Sequence, residues 1–174
     1  LLHIVQPVAD KYCRRVIACR GYNSITFQAE FYNRVQEALG YGQKPVVLYF
    51  GDWDPSGWNM PYTAMQTLRD ELGLFDVDFY RCGINPEHFD KLTANPVPIK
   101  HTDKRSRRFV EQNGPIAYEL DAFHPLELQR LVEQSIIHFT DMDVLEEELE
   151  HEYEDQEDLD QIRDEVINLV EGLS

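Results

Sequence analysis

The sequence predicts an α/β domain with an open, mostly parallel sheet and helices on both faces, followed by an acidic helical extension. Three observations lead there. Helix-period segments and short apolar runs alternate through residues 1–140. The run Pro45 to Phe50 (PVVLYF) carries five consecutive apolar or aromatic residues. Charge balance changes abruptly near residue 141. Alternating helices and strands bury themselves best as a parallel sheet covered by helices. Strands covered on both faces read as continuous apolar runs rather than alternating ones. The 174 residues suit one domain with an appendage, here 1–140 and 141–174, and the 43% hydrophobic content suffices for a core.

In chain order, residues 1–10 read as the end of a helix, with Leu1, Ile4, Val5 and Val8 on one side. Arg15 to Cys19 reads as a short buried strand, stopped by the turn signal Arg20-Gly21-Tyr22-Asn23-Ser24. From Ser24 to Leu39, Ile25, Phe31, Tyr32, Val35 and Leu39 recur at helical spacing, and Gly40 and Gly42 end that helix. Pro45 to Phe50 is the clearest strand. Met60, Ala64, Met65, Leu68 and Leu72 mark the next helix, with Pro61 expected in its first turn. A strand over 77–82, a short helix over 86–92 and a proline-bearing loop over 93–103 come next. Asp103 is expected to cap a short helix reaching Val110, Ile116 to Leu120 to form a strand, and Pro125 to Phe139 a helix turning Leu128, Leu131, Val132, Ile136 and Phe139 inward.

The tail differs in kind. Leu159, Ile162, Val166, Leu169 or Val170, and Leu173 follow a 3–4 spacing on an otherwise acidic segment, the pattern of an amphipathic helix with a narrow seam. Residues 141–174 hold 15 acidic side chains against Arg163 alone, a net −14. Residues 1–140 hold 17 acidic and 15 basic side chains, a net −2. The overall −16 therefore does not exclude a polyanion-binding body. The seam suits a homodimer contact or another partner. Cys13, Cys19 and Cys82 show no CxxC spacing, which argues against a disulfide scaffold or a zinc knuckle. No uninterrupted apolar run reaches membrane-spanning length and no signal segment opens the chain, so a cytoplasmic protein is expected.

The chemistry concentrates in Gly51-Asp52-Trp53-Asp54-Pro55-Ser56-Gly57. It comes directly after the best strand, at the carboxyl edge where α/β sheets bind ligands. Residues two apart in extended chain project the same way, so the carboxylates of Asp52 and Asp54 are expected to converge, with Trp53 pointing into packing. Adjacent carboxylates repel, and a hard divalent cation with oxygen preference relieves that repulsion. Gly51 and Gly57 suit a sharp turn or a close approach to a ligand, Pro55 fixes φ, and Ser56 is expected to cap the next helix.

The run VVLYFGDWDPSG resembles the DxD motif of the Toprim domain shared by topoisomerases, primases and related nucleases. It is most similar to the topoisomerase VI A-subunit and meiotic double-strand-break group and to phage and plasmid proteins related to them. RGYNS at 20–24, KHTDKRSRRF at 100–109 and YELDAFHP at 118–125 are similar to segments of the phage and plasmid group, so the resemblance covers residues 1–140. It implies Mg²⁺ or Mn²⁺ bound by Asp52 and Asp54, DNA as partner, and nuclease or topoisomerase-type strand cleavage. The family also places a glutamate at the end of its first strand. Here the first helix begins near Leu1, so that strand and glutamate are expected upstream, or another acid substitutes.

Glu119 and Asp121, two apart after a short strand, are candidates for the additional catalytic acids, with Glu119 the further metal ligand; the alternative is a helix cap and an ordinary ion pair. Arg20, Lys100, Lys104 and Arg105 are candidate phosphate contacts, within a run that also includes Arg107 and Arg108. No HxH or HExxH spacing appears among the six histidines. Nothing resembles the winged-helix domain that carries the tyrosine nucleophile in relatives, so such a cleavage or DNA-binding domain is expected upstream or in trans. A non-catalytic module with a DNA-mimic tail is the competing reading. A phosphatase of the haloacid-dehalogenase type fits badly at Pro55-Ser56.

Overall fold

The computed structural model describes residues 1–18, 25–99 and 104–171. It is a mixed α/β protein rich in helix, and its contacts divide it into two compact units, Leu1–Ile136 and Ile137–Ser174. The first unit contains α1 (Leu2–Lys11), α2 (Ile25–Gly40), β1 (Val46–Tyr49), α3 (Pro55–Gln66), β2 (Asp78–Arg81), β3 (Val97–Pro98), α4 (Lys104–Asn113) and β4 (Ile116–Ala117), and most of α5 (Pro125–His138). The second contains α6 (Met142–Glu171). No described helix is long and apolar enough to cross a membrane.

β1 and β2 pair in parallel, with Val46 opposite Asp78 and Tyr49 opposite Arg81. Their carboxyl ends therefore share one edge, where Gly51 to Asp54 and Cys82 to Asn85 emerge. Below it, Val35 of α2 packs with Leu68, Leu74 and Val77, and Phe31, Tyr32, Leu39, Val47 and Leu72 join them. This gives the helical periodicity of α2 its physical meaning: its apolar stripe buries against β1 and the chain around β2. β3 and β4 form a separate antiparallel pair, Val97 opposite Ala117 and Pro98 opposite Ile116. Among the described residues each ladder thus has two strands. α1 is tied to α5 through Glu133, which accepts hydrogen bonds from Lys11 Nζ and Tyr12 Oη, each at 2.7 Å.

Several local expectations change. Residues 15–18 form no strand: Arg15, Ile17 and Ala18 are exposed, and an apolar run becomes a strand only where a neighbour takes its hydrogen bonds. The turn at 20–24 and the Asp103 cap lie outside the described residues. β1 is half-buried rather than fully covered. Pro61 sits inside α3 instead of in its first turn, because the helix starts six residues earlier at Pro55. α3 then loosens into a π-type turn over Thr67–Glu71, where Leu72 N–H reaches back five residues to Thr67. α4 runs three residues beyond Val110 and stops before Gly114, whose φ of +88° is easy for glycine alone. β4 ends at Ala117 rather than Leu120, for a reason found at the neighbouring carboxylate.

Candidate functional site

The turn after β1 is fixed mainly by backbone atoms. Trp53 exchanges both backbone hydrogen bonds with Tyr118, at 2.8 and 3.0 Å, a single antiparallel bridge. This pairing turns the Trp53 side chain inward, leaving it 2% exposed, and sends Asp52 and Asp54 to the other side. Asp52 Oδ1 then accepts the Leu120 N–H at 2.6 Å. That bond removes Leu120 from any strand ladder and starts a 3₁₀ turn over Leu120–Ala122, which is why β4 stops early.

Asp54, not Ser56, caps α3. Its Oδ1 accepts the Gly57 N–H at 2.5 Å while Pro55 takes the first helical position, where a missing N–H costs nothing. Serine at 56 already lies within the helix and is exposed. Gly57 answers to the protein rather than to a ligand: a Cβ there would stand 2.4 Å from the Asp52 carbonyl oxygen. Gly83 has the same role on β2, since its Cβ would meet Gly51 backbone oxygen at 2.3 Å. The two strand exits touch backbone to backbone.

Arg81, the last residue of β2, locks this edge. It donates to the Asp52 carbonyl at 2.8 Å, to the Ile84 carbonyl at 2.5 Å and to Asn85 Oδ1 at 2.6 Å. Its guanidinium carbon stands 5.4 Å from the ring centres of both Trp53 and Trp58. Arg81 Nε and Trp53 Nε1 are buried without a hydrogen-bond partner among the described residues. Burial pushes the Arg81 pKa down, against the opposing charges of Tyr49, Asp52 and Asp54.

Burial raises the Asp52 pKa above the ordinary aspartate value, the Leu120 N–H opposes that rise, and the charges of Asp54 and Asp121 add to it; Arg81 offsets part. Asp52 thus ionises against the negative charge of Asp54 and Asp121. Asp121 and Glu119 are both exposed, on the 3₁₀ turn and at its start. They do not share a strand face, because extended geometry ends before Leu120. No group of three or more His, Cys, Asp or Glu side chains is assembled as a metal cage among the described residues. Asp52 and Asp54 each keep acceptor positions beyond the one backbone bond they make. Mg²⁺ is commonly held by only one or two carboxylates plus substrate phosphate, and a carboxylate offers about four acceptor positions, so one backbone bond each does not exhaust them.

Beside this edge lies an aromatic cluster. Trp53 meets Trp58, Phe89 and Phe109 edge-on, with ring centres 5.2, 5.6 and 5.6 Å away. Phe109 comes from α4 and is 2% exposed. With Ser106 and Phe109 turned inward, α4 presents Lys104, Arg105, Arg107 and Arg108 to solvent. Two expected phosphate contacts, Lys104 and Arg105, are thus on a helix seated against the site; Arg20 and Lys100 lie outside the described residues. Sequence reasoning missed Arg81 and Gly83. The rule that picked out Asp52, inspection of the residues leaving each strand, applied equally to the Arg81-Cys82-Gly83 exit. Of the cysteines, Cys13 is exposed and Cys82 is half-buried, its pKa raised by burial; Cys19 lies outside the described residues.

No family model matches the chain, and no curated protein or solved structure matches it.

Proposed function

We propose that this chain is a Toprim-type domain for metal-dependent chemistry on nucleic-acid phosphodiesters, a nuclease or topoisomerase-like module with DNA as its cytoplasmic partner. The observation that carries this reading is the position of Asp52 and Asp54, both leaving β1 at the carboxyl edge of the parallel β1–β2 pair and each held by a backbone N–H. In such a domain that pair would be the centre of a wider open sheet. Asp52 and Asp54 would hold Mg²⁺ or Mn²⁺, which when bound supplies Lewis-acid polarisation of a phosphoryl oxygen. Leu120 N–H and Gly57 N–H keep the two carboxylates oriented, and Arg81 keeps the turn itself in place. Hydrolysis is the simplest reaction for these groups. A water oxygen bonds to phosphorus, its proton passes to Glu119 or Asp121, and the ester P–O bond breaks with the alkoxide taking up a proton. A strand-cleaving tyrosine, if the reaction uses one, would come from another domain upstream or in trans.

The test is Mn²⁺-dependent nicking of supercoiled plasmid, alongside calorimetric titration of Mn²⁺ into the protein. Asp52→Asn and Asp54→Asn should each slow nicking on the order of a hundredfold, since a bound cation contributes several kcal/mol at about 1.36 kcal/mol per decade. Both should weaken Mn²⁺ binding. Variants that nick and bind Mn²⁺ like the parent would end this proposal.

A second reading, a non-catalytic interaction module, draws on α6, where Leu159, Ile162, Val166 and Val170 are 53–60% exposed on an acidic helix. If the tail mimics DNA, removal of residues 143–174 raises DNA affinity most at low salt.

A further inference from the structure

α3 leaves the carboxylate turn carrying two aromatic side chains one helical turn apart. Trp58 is 39% exposed and Tyr62 is 63% exposed, and residues four apart share a helix face. Trp58 belongs in part to the buried aromatic cluster, whereas Tyr62 stands mostly in water. Trp58 makes T-shaped contacts with Trp53 and Phe109, ring centres 5.2 and 6.2 Å away, and the Arg81 guanidinium carbon lies 5.4 Å from its ring centre. Tyr62 accepts a hydrogen bond from Gln66 Nε2 at 3.1 Å, which steadies it on the surface. Phe109 connects this ledge to α4, whose outer side carries Lys104, Arg105, Arg107 and Arg108. α3 packs against α4, so exposed rings and exposed cations occur on adjacent helices, and single-stranded nucleic acid recognises that combination: bases stack on the rings and phosphates pair with the charges.

We infer that the Trp58–Tyr62 ledge of α3 and the basic outer face of α4 form a binding track for single-stranded nucleic acid leading to Asp52 and Asp54. The inference rests on the phosphodiester reading and names its substrate class. Four residues of helix rise about 6 Å. That distance suits neighbouring bases pulled apart onto separate rings, whereas bases in a duplex remain stacked at about 3.4 Å and hide their faces. The cations give the track its affinity and the rings give it the preference for unpaired strands.

Binding of fluorescein-labelled (dT)₁₂ to the whole chain, followed by anisotropy in EDTA, tests this without metal or cleavage. (dT)₁₂ should bind more tightly than a duplex of equal length. Tyr62→Ala should weaken it about fivefold or more and Tyr62→Phe should restore it, because the contact is stacking. Arg107→Glu with Arg108→Glu should weaken binding and flatten its salt dependence. Trp58 fluorescence should be quenched by (dT)₁₂, and Trp58→Phe should abolish that quench. Circular dichroism checks that each variant is folded. Unchanged affinity in Tyr62→Ala, equal losses for duplex and single strand, or absence of any (dT)₁₂ binding each overturn the inference. If plasmid nicking depends on Asp52 and Asp54 but (dT)₁₂ binding ignores Tyr62, the track alone falls. If Tyr62 governs (dT)₁₂ binding while the aspartate variants nick normally, the metal reading falls and the track stands.

Discussion

Acidic side chains occur in two settings in this protein, the turn after β1 and the long helix α6, and they behave differently. In the turn, Asp52 and Asp54 are half-buried, and each is held by a backbone N–H, from Leu120 and Gly57. Neither can swing away from the other's charge without giving up a hydrogen bond. In α6, fourteen acids are spread around a helix whose side chains are nearly all exposed, and Arg163 pairs with Asp160 at 3.0 Å on the open surface. Surface pairs of that kind contribute little. Charge number therefore says nothing about chemistry. What distinguishes the turn is that folding fixes a few carboxylates where water cannot fully screen them.

That contrast can be broken or sharpened by substitution. We predict the largest stability loss at Gly83. Alanine there forces apart the two strand exits, because the obstructing atoms are Gly51 backbone, and should cost about 2–3 kcal/mol in urea denaturation. A cost near zero would mean that the exits are not in contact.

Asp54 separates its two roles. Loss of the cap in Asp54→Ala should cost about 1 kcal/mol, whereas asparagine caps as well as aspartate, so Asp54→Asn should keep its stability while losing nicking activity. Equal stability losses in both would point away from capping.

Asp52 gives a smaller effect with a defined sign. Its pKa is raised on folding, so between the ordinary and the raised value the folded chain holds more protons than the unfolded one, and stability falls as pH rises through that window. In EDTA at neutral pH, Asp52→Asn should therefore be more stable than the parent, by about 1 kcal/mol or less given solvent screening. Its advantage should vanish once the pH drops below the ordinary aspartate range. Destabilisation at neutral pH would reverse the argument.

The smallest change is expected in α6, where Leu159→Ala with Ile162→Ala should shift thermal stability of the isolated chain by less than about 0.5 kcal/mol, both residues being mostly exposed. A large shift would reveal a partner for that seam.

The parts of the fold that are legible in the sequence share a cause. α2, β1 and α5 appear near their expected limits because each is dictated by a local pattern, an apolar period or a β-branched run. The failures are places where a local pattern loses to a distant partner. Ile116 to Leu120 reads like one strand, but Leu120 gives its N–H to a carboxylate 68 residues away. Ser56 has the chemistry of a cap, but Asp54 is nearer to the first unpaired N–H groups. Glu119 and Asp121 pair by strand parity, which does not survive a 3₁₀ turn.

By itself, then, the sequence determined an alternating α/β body, an acidic amphipathic tail and a carboxylate-bearing turn after the strongest strand, because periodicity and charge act over a few residues. Only the tertiary structure decided that Tyr118 to Asp121 lies against that turn, that Arg81 and Gly83 hold it, and that α4 seats Phe109 against Trp53. Those are contacts between segments far apart in the chain, and they exist because buried backbone groups and aromatic rings must find partners wherever the fold puts them.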